Sequence, residues 1–235
     1  MLYQTIHPSW KEFLTDDRLK QIDSIEKQLG DNISPSPSCL SLRIFNLDLD
    51  KIKIICVGMD PYPEKGRATG RAFEVNGLKD WNESFRQVSL KNIIRGIYIA
   101  YHPVDKYEAI PKFNDLKKEI SSGAFKVKPP NQIFNYWETQ GFVSLNVYPT
   151  CETGKTGSHK FIWLPFSIDL IHFISEKRPD LIWFLWGNDA KGIKDWIKHG
   201  NIYESRHPMM CSEKYDDDFL KNNCFKDTKT IINWI

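Results

Sequence analysis

Apolar residues along this chain alternate between short unbroken runs and longer stretches with helical spacing. The first run, Ile52 to Val57, is broken only by Lys53 and is followed by Gly58 and Pro61. Its β-branched density predicts a short buried strand that stops abruptly. Phe142 to Val147 predicts a second buried strand, Leu181 to Trp186 a third, and Asn201 to Ser205 a weaker fourth. Helical spacing runs from Trp10 to Leu29, with Ser9 as N-cap and Gly30 as stop. Ser89 caps a second helix through Leu90, Ile93, Ile94 and Ile97 that ends before Pro103. Further helices are expected near Asp115 to Ile120, Ile133 to Gln140, Phe166 to Lys177 and Asp189 to Lys198. Asp31 to Ser41, rich in serine and proline, reads as a loop, and residues 1–8 as an N-terminal arm. Near-continuous apolar strands separated by helices mean a mostly parallel sheet covered on both faces. The expected fold is α/β: a single-domain α/β/α sandwich over residues 1–235 with a central, mostly parallel four-stranded sheet.

Composition narrows the class without fixing a function. A chain of 235 residues with 41% hydrophobic and 26% charged residues can bury one sizeable core. The net charge of +2 is too small to announce a nucleic-acid partner, so any basic surface has to be local. No apolar run approaches the roughly 18 residues of a membrane span, and the N-terminus lacks the form of a signal peptide. Cys39, Cys56, Cys151, Cys211 and Cys224 are odd in number and lack paired spacing. That argues against a disulfide framework and a CxxC zinc site, and for a reducing, intracellular compartment, cytoplasmic or nuclear.

The strand ends carry the candidate chemistry. Asp60 follows the first run, Asn146 closes the second, Gly187 follows the third and His207 the fourth. In open α/β sheets, ligands bind outside the carboxyl ends of the strands. Singly, Asp60 reads equally as a turn cap, and Asn146 and His207 as ordinary loop residues. Together on one rim they offer a carboxylate for water or a cation, an amide for a nucleobase-like edge, and a donor for a developing oxyanion.

The motifs around these residues resemble those of the family 1 uracil-DNA glycosylases over nearly the full chain. The family's first motif is similar to Gly58-Met59-Asp60-Pro61-Tyr62-Pro63, continuing without a gap through Gly66, Gly70, Phe73 and Val75. Leu145-Asn146, with Gly157-Ser158-His159-Lys160 at family spacing, resembles the second. Leu185-Trp186-Gly187 resembles the family's buried strand, and His207-Pro208 followed by Ser212 its last motif. The resemblance implies an enzyme that flips uracil out of DNA and hydrolyses its N-glycosidic bond, working as a monomer with no metal or other cofactor. It implies that Asp60 positions water and stabilises the sugar cation, while neutral His207 bonds uracil O2. Asn146 would read the base edge and Phe73 stack on the ring. Tyr62 would stand where the methyl of thymine must go, and Met59 would line the base site. Gly66, Ser89, Ser158, His159, Pro208, Met210, Cys211 and Ser212 would meet the DNA. A proteinaceous inhibitor or a replication protein is an implied further partner.

Several positions depart from the family pattern. Met59 replaces a glutamine, and Pro63 replaces a histidine as it does in poxvirus members. Met209, Met210 and Cys211 stand where serine, proline and an intercalating leucine are usual, so the wedge is expected to be weak or supplied by Met210. Asp216-Asp217-Asp218 is an acidic run near the expected DNA path, and residues 101–130 form a divergent insertion. Two alternatives stay open: a glycosylase of the same fold with altered base choice, and a DNA-binding replication-accessory protein. Relatives with an iron–sulfur cluster are disfavoured, because four clustered cysteine ligands are not evident.

Overall fold

A computed structural model describes residues 2–37 and 39–235. Its helices and strands run, in chain order, α1 Asp16–Leu29, β1 Ile33–Ser34, β2 Ile54–Gly58, α2 Val88–Tyr101, α3 Phe113–Ser122 and α4 Pro130–Thr139. They continue as β3 Phe142–Asn146, β4 Cys151–Glu152, α5 Lys160–Lys177, β5 Ile182–Trp186, α6 Asn188–Lys191, β6 Asn201–Ser205 and α7 Cys224–Thr228. The main sheet has the order β3-β2-β5-β6 and is parallel throughout. The four expected strands are therefore the four observed ones, with ends within two residues of expectation.

Alternation along each strand splits the core in two. Ile55 and Val57 of β2, with Trp183 and Leu185 of β5, face a cluster built with α1 and α5 around Trp10, Phe45 and Trp163. Ile54 and Cys56, with Phe184 and Trp186, face the other cluster, which includes Ile94 of α2, Trp137 of α4 and Phe225 of α7. A sheet covered on both faces needs apolar residues at every strand position, which is why these runs do not alternate in sequence. Among the described residues no helix is long and apolar enough to cross a membrane.

Several local expectations are corrected. Helix α1 starts at Asp16 and not near Trp10, because Thr15 Oγ1 accepts from Arg18 N (3.3 Å) and Asp16 and Asp17 favour the first turn. Ser9 instead accepts from Leu49 N (3.0 Å). The N-terminal arm lies against the core: Leu2 is buried, its carbonyl accepts from Leu42 N (2.8 Å), and His7 N donates to Phe45 O (2.8 Å). The Asp31–Ser41 loop contains β1, paired antiparallel with β4. Ser89 does not cap α2; it lies within the helix, whose N-cap is Gln87. Helix α5 begins six residues earlier than expected, and the Asp189–Lys198 helix is only α6 followed by a 3-10 turn at Lys194–Trp196. Within residues 101–130, the divergent insertion, Phe113, Leu116, Phe125 and Val127 are buried in the second cluster.

Candidate active site

Strands β2 and β3 run side by side until Gly58 pairs with Asn146. A Cβ on Gly58 would lie 2.7 Å from Ala72 Cβ and 2.8 Å from Asn146 Oδ1, so a glycine here is a packing requirement. Beyond the strand ends, Val147 N donates to Gly58 O (2.8 Å) and Tyr148 N to Met59 O (2.9 Å). This extension holds the Asp60 loop against the end of β3. Asp60 Oδ1 is buried without a hydrogen-bond partner. Burial pushes the Asp60 carboxyl above its ordinary value; the Gly157 backbone N–H and Lys160 oppose this, while Asp189 adds to it.

Asp60, Tyr62, Phe73, Asn146, Trp186 and His207 line one cavity of about 440 Å³, together with Met59, Arg71, Ser89, Asp189 and Met209. Asn146 is 4% exposed, and neither its Oδ1 nor its Nδ2 has a partner. Leaving such groups unpaired costs free energy unless a ligand completes them. Phe73 has φ +66°, a strained value for a bulky residue, and its ring lies 5.7 Å from Trp186 and 6.1 Å from His207. Tyr62 is held from two sides: its hydroxyl donates to Phe73 O (3.4 Å), and its carbonyl accepts from Ser34 Oγ in β1 (2.6 Å).

His207 has a defined tautomer. Met209 N donates to His207 Nδ1 (3.1 Å), so in the neutral ring the proton sits on Nε2. Burial pushes the His207 pKa down, against the smaller opposing effect of Asp189. Gly187, at φ +93°, makes room for the ring, since a Cβ there would lie 2.9 Å from His207 Cβ.

Of the residues expected on DNA, some are exposed and others are turned inward. Met210 is 57% exposed and Met209 55%. Gly66 is exposed in its turn, and Ser158 is half-buried with its Oγ accepting from Glu152 N (2.7 Å). Ser212 is also half-buried, held through its backbone N–H by Asp218 (2.7 Å). Ser89 is buried at the cavity wall. His159, expected at the DNA surface, is 3% exposed and bonds Thr150 Oγ1 through Nδ1 (2.9 Å); it shapes the loop from within. Pro208 is buried, with its carbonyl taken by Asn92 Nδ2 (2.6 Å). Cys211 is turned inward, its Sγ donating to Pro208 O (3.3 Å), and burial pushes its thiol up to about 12. In the acidic run, Asp217 pairs with Lys191 (3.1 Å) and Asp218 is buried.

Sequence reading missed Arg71 and Glu138. Arg71 Nε and Nη2 donate to Glu138 (2.7 and 3.0 Å), Nη1 donates to Glu74 (3.1 Å), and Arg43 Nη2 reaches Glu138 (2.6 Å). This network fixes the turn that carries Phe73. The spacing of Arg71 and Glu74 is a local hint, but Glu138 lies 67 residues from Arg71. Asp189, which acts on both Asp60 and His207, was likewise seen only as a helix start.

The cavity can hold a flat ring beside Phe73, with an amide at its edge, a neutral N–H donor and a poorly solvated carboxylate around it. Such a pocket at the strand ends of an α/β/α sandwich is that of an enzyme acting on a base-like group. No protein-family model matches the chain. The chain is 32% identical to the uracil-DNA glycosylase of Borrelia turicatae, over 95% of this chain and 92% of the relative. The fold matches the wild-type UNG structure from Nitratifractor salsuginis (TM-score 0.69, 20% identity, 97% of this chain and 92% of that one). It also matches mimivirus uracil-DNA glycosylase (TM-score 0.59, 24% identity, 86% and 69%). The chain belongs to the uracil-DNA glycosylase family, DNA-repair hydrolases that act on the N-glycosyl bond of uracil.

Proposed function

We propose that the chain works by the family 1 mechanism, with a first motif of the poxvirus-like kind. The observation that carries the reading is the set of unpaired buried atoms, Asp60 Oδ1 with Asn146 Oδ1 and Nδ2, in the cavity where His207 also lies. As the glycosidic bond breaks, negative charge moves to uracil O2 and positive charge to the sugar. His207 Nε2–H stabilises the first, and the Asp60 carboxylate stabilises the second while orienting water. Asn146 pairs with N3–H and O4, an order of donor and acceptor that cytosine does not present. Phe73 stacks on the base and Tyr62 blocks the 5-position. The exposed Met209 and Met210 flank the pocket where a flipped nucleotide leaves the duplex.

Residues 1–235 act in this reading as one domain and as a monomer. Buried free thiols at Cys56, Cys151 and Cys224 fit a reducing compartment, cytoplasmic or nuclear. A mimivirus UNG variant is solved in complex with UGI, which supports a proteinaceous inhibitor as a possible class of partner here.

Base release from matched oligonucleotides tests the base choice. Uracil should be released while thymine, cytosine and hydroxymethyluracil should not. Tyr62→Ala gains thymine release and loses part of its uracil activity, because a methyl against a rigid ring costs more than the ~1–3 kcal/mol of a missing methylene. A Tyr62→Ala enzyme that keeps uracil activity and still ignores thymine removes Tyr62 as the gate.

The pH dependence has a stated sign. The reaction needs Asp60 charged and His207 neutral. Burial lowers the His207 pKa, which favours the neutral ring, and raises the Asp60 pKa, which moves the acid limit of the charged carboxylate upward. The rate should fall on acidification as Asp60 and His207 take up protons, with the Asp60 step lying above the ordinary carboxylate range. A pH profile of the single-turnover rate constant reads this; an acid limb at the ordinary carboxylate value would contradict the buried Asp60.

A further inference from the structure

Residues 101–130 and the acidic run at 216–218 have no part in the chemistry above, yet Asp218 bonds directly to the turn that carries His207. Residues 101–130 reach that turn through Asp218 and through Arg95 and Asn92. Asp218 is 1% exposed. Its Oδ1 accepts from the Tyr107 hydroxyl (3.0 Å) and Leu220 N (2.9 Å), and its Oδ2 accepts from Ser212 N (2.7 Å). One end of the His207–Ser212 turn is thus tied through Asp218 to Tyr107. The other end is tied through a second chain of bonds. Pro208 O accepts from Asn92 Nδ2 (2.6 Å), Asn92 Oδ1 accepts from Arg95 Nη1 (2.8 Å), and Arg95 Nε donates to Pro111 O (2.7 Å).

Between these anchors Met209 and Met210 stand out from the surface. Within the turn, Met210 N donates to His207 O (2.9 Å) and Cys211 Sγ to Pro208 O (3.3 Å). Methionine is flexible, so its side chain resists displacement only as well as its backbone is held. Extruding a base from a duplex costs stacking and pairing energy, less at a mismatch and least in a single strand. A loose turn would yield under that load, and a turn pinned at both ends would not.

We propose that the segment from Tyr107 to Pro111 is a brace for the His207–Ser212 turn, and that Tyr107, Asp218 and Arg95 are positioning residues for extracting uracil from duplex DNA. The proposal rests on the reading of this turn as part of the uracil site. It gives the divergent segment a task in handling the substrate: it does not touch uracil, but lets the methionine pair bear on the helix. The buried Asp218 is a structural anchor, so the acidic run does not present all three of its charges to the phosphate backbone.

The test measures single-turnover uracil release and KM on three substrates at one fixed salt concentration, because phosphate contacts make every value salt-sensitive. The substrates are a single strand, a U·G mismatch and a U·A pair. Tyr107→Phe removes the hydroxyl that donates to Asp218 Oδ1. It should slow U·A release roughly five- to tenfold, U·G release less, and single-strand release less than about twofold. Arg95→Leu, at the other anchor, should give the same gradient, and Asp218→Asn a steeper one if it folds. Equal losses on all three substrates, as simple destabilisation would produce, overturn the brace; so does an unchanged ratio in both Tyr107→Phe and Arg95→Leu. His207→Ala in the same assay separates the two ideas. If it keeps wild-type rates, the site reading fails, whatever the Tyr107 gradient; if it collapses on every substrate while Tyr107→Phe shows no gradient, only the brace fails.

Discussion

Asp60→Asn and His207→Ala should each slow single-turnover uracil release by a factor on the order of a hundred or more, with little change in binding of uracil-containing DNA. Each variant removes a charge or donor that matters most after the bond has begun to break. Asp60→Asn should also change stability, and the sign follows from its environment. Burial raises the carboxyl pKa in the folded protein, so wild-type stability falls as pH rises from the unfolded value through the folded one. Asparagine carries no such penalty. The variant should therefore melt higher than wild type at pH 7, and the gain should vanish below the ordinary carboxylate range. Thermal melts at pH 7 and at acid pH check the stability half, and single-turnover kinetics the catalytic half. Near-normal rates in both variants would remove these two residues from the chemistry. A lower melting temperature for Asp60→Asn at pH 7 would show that the carboxylate stabilises the fold instead.

Glu138→Ala should be the most damaging single change outside the cavity. It leaves Arg71, whose side chain is only 10% exposed, and Arg43 without their shared carboxylate. Breaking a buried pair by removing one partner costs about 3–5 kcal/mol. In a chain of this size that lowers the melting temperature by roughly 10 °C. Burial alone would raise the Glu138 pKa, but hydrogen bonds from Arg71 and then Arg43 outweigh it and hold the carboxyl below its ordinary value. This contribution is present above the unfolded carboxylate pKa and lost as pH falls through the folded one. Arg71→Lys should not substitute, because a point charge cannot span Glu138 and Glu74 as a guanidinium fork does. The loop carrying Phe73 should loosen with the network, so the surviving enzyme should show a raised KM with a smaller change in kcat. A melting temperature within about 2 °C of wild type would show that the network adds nothing to the fold.

The three buried strands were legible because their signal is local: dense β-branched and aromatic runs, cut off by glycine or proline. Asn201 to Ser205 was found with its observed ends, even though its burial is weak. The rim was legible for the same reason, since parallel strands deliver their following residues to one edge. Asp60, Asn146 and His207 each follow or close such a strand in the sequence, which places them together on that rim. Helix ends were harder, because Thr15 rather than Ser9 caps α1, and the choice turned on whether Ser9 was needed elsewhere, by Leu49.

The sequence alone determined the covered, parallel four-stranded sheet and the strand edge that carries the candidate site, both of which depend on neighbours a few residues apart. Only the tertiary structure decided which side chains line the cavity and which turn inward. His159 turned inward because Thr150 holds its ring, and Cys211 because its thiol bonds Pro208. Phe73 took a left-handed backbone within a turn that Glu138, Glu74 and Arg71 brace. Tyr107 reached Asp218 across 111 residues, and Asn92 reached Pro208 across 116. Periodicity and turn chemistry carry no information at such separations. Contacts of that kind are fixed only when two distant surfaces are pressed together and each buried polar atom must find a partner or await a ligand.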